Sequence, residues 1–192
     1  MPNYRRAYIP GSTVFLTWVI HRRTPLFNHP HNVTRFRQAV SQTKAEAPFE
    51  IVAAAILPDH VHFIWTLPDS DRNYSKRVRR IKVLFTRALR GKHTVQPDNI
   101  SESRRKHRES DVWQRRFWEH TIRTEEELAH YLDYIHYNPV KHGLVSCPHQ
   151  WPHSSFQKWI DEEHYRSDWA CQCEGKKVGL GEFLKIAEYA GE

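Results

Sequence analysis

Glu50-Ile51-Val52-Ala53-Ala54-Ala55-Ile56-Leu57-Pro58-Asp59-His60-Val61-His62-Phe63-Ile64-Trp65-Thr66-Leu67 consists of two apolar runs parted by a proline and an acid. The first run, Glu50 to Leu57, is nearly continuous and has the pattern of a strand covered on both faces. Pro58-Asp59 punctuates the chain, and His60 to Leu67 continues as a second strand. Side chains alternate across a strand, so His60 and His62 project from one face and Val61, Phe63 and Trp65 from the other. Strand rise sets the two histidine Cα atoms about 6.5–7 Å apart, close enough for two imidazoles to grip one cation. His-x-His alone, in a chain with 14 histidines, also fits two ordinary surface or core residues, and two ligands leave a metal site incomplete.

Upstream, Ser12 to His21 is rich in Thr, Val, Phe, Trp and Ile and reads as a strand opened by Pro10-Gly11. Asn32 to Ala47 carries Val33, Phe36, Ala39, Val40 and Thr43 at helical spacing, and Pro48 ends it. Downstream, Val78, Ile81, Leu84, Phe85, Ala88 and Leu89 form one apolar stripe, making Ser75 to Arg90 a basic amphipathic helix that Gly91 closes. Residues 92–111 are polar and aperiodic and read as a long exposed loop. Val112 to Ile122 is aromatic enough to be a further strand or an aromatic wedge. Thr124-Glu125-Glu126-Glu127 spells a capping box. The helix it launches is expected to run to about Asn138, since Pro139 disfavours helical geometry before it. Glu182 to Tyr189 reads as a short terminal helix. The order strand, helix, strand, strand, helix, strand, helix suggests an α+β fold, a split β-α-β with an antiparallel central sheet.

The bulk properties exclude several classes. A chain of 192 residues with 39% hydrophobic residues is one domain's worth and buries a proper core. Its longest apolar run, Ile51 to Leu57, is far short of the ~20 residues a membrane span needs, and no signal peptide opens it. Three cysteines form no closed disulfide framework, which fits a reducing cytosol. Cys171-x-Cys173 with the distant Cys147 hints at zinc but lacks a regular fourth ligand. Lys and Arg number 29 against 22 acids. Eight of these cations and no acid fall between Lys76 and Lys92 (Lys76, Arg77, Arg79, Arg80, Lys82, Arg87, Arg90 and Lys92), with further clusters at Arg104–Arg108 and Arg115-Arg116. Such clusters favour a nucleic acid partner, whose condensed counterions they would release.

The capped helix holds the second piece of chemistry. Leu128, Leu132 and Ile135 form its core stripe, with Tyr131 flanking; His130, Tyr134 and Asn138 lie on a separate flank. Tyr134 and Asn138, four apart, share one face with Cβ atoms about 5–6 Å apart. A tyrosine hydroxyl there can act as a nucleophile, and the asparagine oxygen can join a cation site. Helix position alone equally suits an ordinary half-buried tyrosine.

Several blocks carry a family resemblance: Met1-Pro2-Asn3-Tyr4-Arg5-Arg6, Leu57–His62, Trp113–His120, Asp133–Val145, Trp151–Phe156 and Asp168-Trp169-Ala170. In this order, over residues 1 to about 170, they resemble the REP-associated tyrosine transposases of the HUH single-tyrosine superfamily, with Val61 as the central hydrophobic residue. The resemblance implies a ferredoxin-like HUH fold, with helices packed on the sheet, and metal-dependent cleavage and joining of single-stranded DNA at palindromic, REP-like hairpins. Carried over by position, Tyr134 is the nucleophile that forms a 5′-phosphotyrosine. His60, His62 and Asn138 are ligands to Mg²⁺ or Mn²⁺. Arg5, Arg6, Lys76, Arg77, Arg80, Arg115, Arg116 and Lys141 are expected to contact DNA, with Trp113, Phe117 and Trp118 available to unstacked bases. The expected organisation is one domain over 1–170 with a tail at 171–192, acting as a monomer (a dimer being the alternative) in the bacterial cytoplasm at the nucleoid. Rival readings are a domesticated hairpin-binding protein without catalysis, an unrelated His-x-His metal hydrolase and an RNA-binding module.

Overall fold

The computed structural model describes residues 7–90 and 111–172. Arg5, Arg6, Cys173, the terminal helix expected at 182–189 and all but the last residue of the 92–111 loop lie outside these. The elements are β1 (Thr13–Val19), α1 (Pro30–Glu46), β2 (Glu50–Ile56), β3 (His60–Thr66), α2 (Tyr74–Arg90), β4 (Trp118–Ile122), α3 (Glu125–Lys141) and the short α4 (Phe156–Asp161). The strands form one antiparallel sheet in the order β2-β3-β1-β4. With α1 and α2 as its crossovers, this β-α-β-β-α-β chain is the expected ferredoxin-like arrangement.

Alternation along the strands decides what each face carries. Leu16, Trp18, Val61, Phe63 and Trp65 pack with Phe36 and Val40 of α1 and Val78, Ile81 and Phe85 of α2 in one core. Phe15, Ala53, Ala55 and Ile64 point the other way and pack against Tyr131, Leu132, Tyr134 and Ile135 of α3. The added helix α3 therefore covers the face from which His60 and His62 project. Pro30, at the start of α1, has its ring-locked φ pre-set for a first helical position. Thr124 caps α3 by accepting the Glu127 N–H at 3.1 Å, and Glu127 accepts the Arg123 N–H at 2.8 Å, one residue earlier than a standard capping box.

The structure corrects several expectations. α3 does not stop near Asn138: it continues through Pro139 to Lys141. Pro139 and Val140 are buried, and the His142 and Gly143 N–H groups still find the Asn138 and Val140 carbonyls at 3.0 and 2.9 Å, so packing and local hydrogen bonds outweigh the proline's missing donor. Of Val112–Ile122, only Trp118–Ile122 is strand; Trp113 makes an isolated bridge with Ile20 and is buried among the α1 and α2 aromatics, which removes it as a platform for bases. β2 lies at the sheet edge with Ile51, Val52 and Ala54 half-buried, and its outer side is met by an Ala55–Ser154 bridge. Cys147 and Cys171 stand as a disulfide pair with Cα atoms 4.2 Å apart, although three cysteines had promised no such framework. They meet because the loop leaving α3 and the segment before Gln172 run side by side, joined by the Gln172 N–H donating to the Ser146 carbonyl at 2.8 Å.

Candidate active site

His60 and His62 sit on β3 as the strand alternation demands, 1% and 0% exposed, with ring centroids 4.9 Å apart. Each ring is held by its Nδ1. The Thr17 hydroxyl on β1, directly across the ladder, lies 2.9 Å from Nδ1 of His62. The Asp59 carboxylate lies 2.6 Å from Nδ1 of His60, and Arg23 donates to the same carboxylate at 3.3 Å. Burial works to raise the Asp59 carboxyl, but the hydrogen bond and charge of His60 with those of Arg23 leave it below its ordinary value. With both Nδ1 atoms engaged, the atom each ring offers a cation is Nε2. Carboxylate or hydroxyl support of this kind orients metal-binding imidazoles.

α3 supplies the opposing wall. The Tyr134 ring is fully buried, 5.4 Å from His62 and 5.9 Å from Phe15. Two turns on, at the exit of α3, the exposed His142 places its ring 5.1 Å from His60. Asn138, 0% exposed, lies one turn from each, so the row Tyr134, Asn138, His142 faces the histidine pair and Asn138 is bracketed by contacts on both sides. Lys141 sets its Nζ over the Tyr134 ring at 5.2 Å. Behind α3, His136 shares a 2.9 Å hydrogen bond with Ser155 Oγ, which in turn accepts the Ala54 N–H at 2.9 Å. Burial pushes the His136 imidazole down to about 3, so it is a neutral strut between helix and sheet edge.

The structure brings Tyr134, His60, His62, Asn138 and Lys141 together. It does not bring together the remaining expected DNA contacts. α2 lies across the sheet from this site, with Lys76 exposed and Arg80 donating to both Glu46 carboxylate oxygens at 2.7 Å. Arg115 and Arg116 are exposed ahead of β4. Arg77 is a correction: at 3% exposure it donates to the carbonyls of Ala47, Pro48 and Asn73 and pairs with Asp71 at 2.8 Å, a role within the fold. Thr17, Asp59 and His142 were missed. His142 was legible as the next step of the four-residue row on α3, and Asp59 as the acid beside His60; Thr17 needed the strand register.

The IS200-like transposase family model matches residues 10–138, a span that holds His60, His62, Tyr134 and Asn138. A REP-associated tyrosine transposase of Haemophilus influenzae is 45% identical over 169 residues, 88% of this chain and 93% of that protein. That of Escherichia coli K12 is 40% identical over 171 residues, 88% and 92% of the two chains. This chain belongs to the REP-associated tyrosine transposases. A solved REP-associated tyrosine transposase bound to a REP hairpin shares the fold at a TM-score of 0.73 and 38% identity, over 95% of this chain and 98% of that one. As a tyrosine transposase the protein is an enzyme.

Proposed function

We propose that this transposase binds palindromic, REP-like hairpins and cleaves and rejoins single-stranded DNA beside them, with the Tyr134 hydroxyl as nucleophile. The observation that carries the reading is the packing of the Tyr134 ring against His62 inside a site whose second histidine is braced by an acid. The hydroxyl attacks phosphorus: the Tyr134 Oη–P bond forms and the P–O3′ bond breaks. The phenol proton passes to solvent and the departing 3′ oxygen gains one. The strand is left as a 5′-phosphotyrosine and a 3′-hydroxyl. The link keeps the phosphodiester energy, so a second 3′-hydroxyl can reverse the step and join strands without ATP.

The donor set, two imidazoles and an amide oxygen, leaves coordination positions that phosphate oxygens or water would fill and suits Mn²⁺ or Mg²⁺. His60, His62 and Asn138 would hold the ion, which when bound neutralises charge on the non-bridging oxygens. Thr17 and Asp59 keep the imidazoles in register, and the partly exposed Lys141 meets an incoming phosphate beside the Tyr134 ring. Lys76, Arg115 and Arg116, with Arg5, Arg6 and Arg80, are proposed phosphate contacts along the hairpin. One domain over 1–170, working as a monomer in the bacterial cytoplasm at the nucleoid, completes the reading.

The test uses single-stranded oligonucleotides copied from palindromes flanking the gene, with Mn²⁺ or Mg²⁺. A protein–DNA adduct surviving denaturing electrophoresis is expected, lost in both Tyr134→Phe and His62→Ala. Tight hairpin binding by the wild type without any adduct would replace this reading by that of a non-catalytic hairpin-binding protein.

A further inference from the structure

Away from the histidine pair, the loop leaving α3 and the segment before Gln172 bring three soft donors together. Cys147 is buried at 2% exposure, Cys171 is half-buried and His149 is exposed; the two sulfurs, joined here as the disulfide, and one ring nitrogen of His149 lie within 4.8 Å of one another. The His149 ring is already oriented. Its Nδ1 is 2.9 Å from the Ser167 carbonyl, which can only accept, so Nδ1 carries the proton and Nε2 presents a lone pair. A backbone carbonyl fixing the tautomer in this way is the usual support of a zinc-binding histidine.

We propose that, while the chain's thiols are reduced and the Cys147–Cys171 disulfide of this structure has not formed, Cys147, His149 and Cys171 supply three of the four ligands of a Zn²⁺ site separate from the catalytic centre, with water in the fourth position. Two thiolates and one imidazole are a donor set that selects zinc over the hard Mg²⁺ of the catalytic reading. The chain is made with thiols, so no redox step is needed: zinc binding displaces two thiol protons, and the bound thiolates are then withheld from disulfide formation. Sequence spacing hides the site because Cys147-x-His149 and Cys171 come from segments that only the fold makes neighbours. Its place gives it a purpose. Gln172 follows Cys171 directly and donates to the Tyr137 hydroxyl at 2.6 Å, and Ala170 packs in the core with Tyr137 and Val140. Zinc would clamp this segment onto the last turns of α3, the stretch that carries Asn138 and Lys141. Cys173 lies outside the described residues, and the site stands on the three described donors.

The experiment is metal analysis of full-length protein purified under a thiol reductant, with zinc release followed on titration by a mercurial. About one zinc per chain is expected. His60→Ala should keep that zinc, which separates this site from the catalytic one whether or not the latter binds metal. Cys171→Ser should lose it, and His149→Ala, an exposed position that leaves the core intact, should weaken zinc affinity by about tenfold or more, with His149→Cys restoring it. Cobalt substitution should give thiolate-to-cobalt absorption in the wild type and the His60→Ala variant alike. Reduced protein without zinc, zinc retained in both Cys171→Ser and His149→Ala, or a Cys147–Cys171 disulfide recovered intact from reducing cells would each overturn the proposal.

Discussion

The Thr17 hydroxyl lies 2.9 Å from Nδ1 of His62 across the β1–β3 ladder, so one imidazole of the His60–His62 pair is aimed by the sheet's own register. Asp59 does the same for His60 from the turn before β3. Both rings are thus held through Nδ1.

Removing either brace should loosen the site without unfolding the protein. Thr17→Val keeps the side chain's shape and deletes its hydroxyl; Asp59→Asn keeps shape and deletes charge. Each is expected to weaken Mn²⁺ binding by about 10–100-fold, read by titration of the free ion's electron paramagnetic resonance signal. Unchanged affinity in both variants would mean that the rings do not bind the ion through Nε2.

Lys141 should act on the reaction rather than on metal binding. Its Nζ lies over the ring of Tyr134, the proposed nucleophile. Lys141→Met is expected to slow adduct formation by about 10–100-fold, the worth of one charge-assisted hydrogen bond, while Mn²⁺ affinity stays put. Equal loss of both properties would assign Lys141 to the architecture of α3 instead.

Two neighbouring cations on α2 should separate cleanly. Arg77→Ala removes the buried guanidinium that donates to the Ala47 and Pro48 carbonyls and pairs with the solvent-accessible Asp71, and should cost about 1–3 kcal/mol in denaturant unfolding, most of it from the carbonyl contacts. Lys76→Ala should leave stability alone but lower the salt dependence of hairpin binding by about one unit of slope. An Arg77 variant that folds normally and loses DNA affinity would reverse this assignment.

Alkaline pH should expose the brace beneath α3. The Tyr165 hydroxyl donates to Asp133 at 2.7 Å, and burial first, with the Asp133 charge and hydrogen bond, raises the phenol above the tyrosine range. A folded-state value above the unfolded one, which is about 10, means the stabilisation is complete below that pH and drains away above it. The wild type should therefore lose stability as pH climbs past about 10, and Tyr165→Phe should show a shallower alkaline slope. Identical slopes in thermal melts across that range would sink the idea.

Local pattern was enough to read the strands, the basic helix, the Thr124 cap and the shared face of His60 and His62, because alternation and helical spacing are properties of neighbours in the chain. The same reasoning failed at Pro139, where burial of Pro139 and Val140 keeps α3 helical past a residue that lacks a donor. It misjudged Arg77 and Trp113 because a cation and an indole carry no local mark of the carbonyls or rings that will enclose them.

By itself, then, the sequence determined the β-α-β-β-α-β order and the three blocks of chemistry, His60–His62, Tyr134–Asn138 and the cations. Only the tertiary structure decided that α3 crosses the histidine face, that α2 lies on the opposite one, and that Thr17 and Asp59 aim the imidazoles. The reason is range: periodicity sets which way a side chain points from its own element, but what it meets there depends on residues tens of positions away.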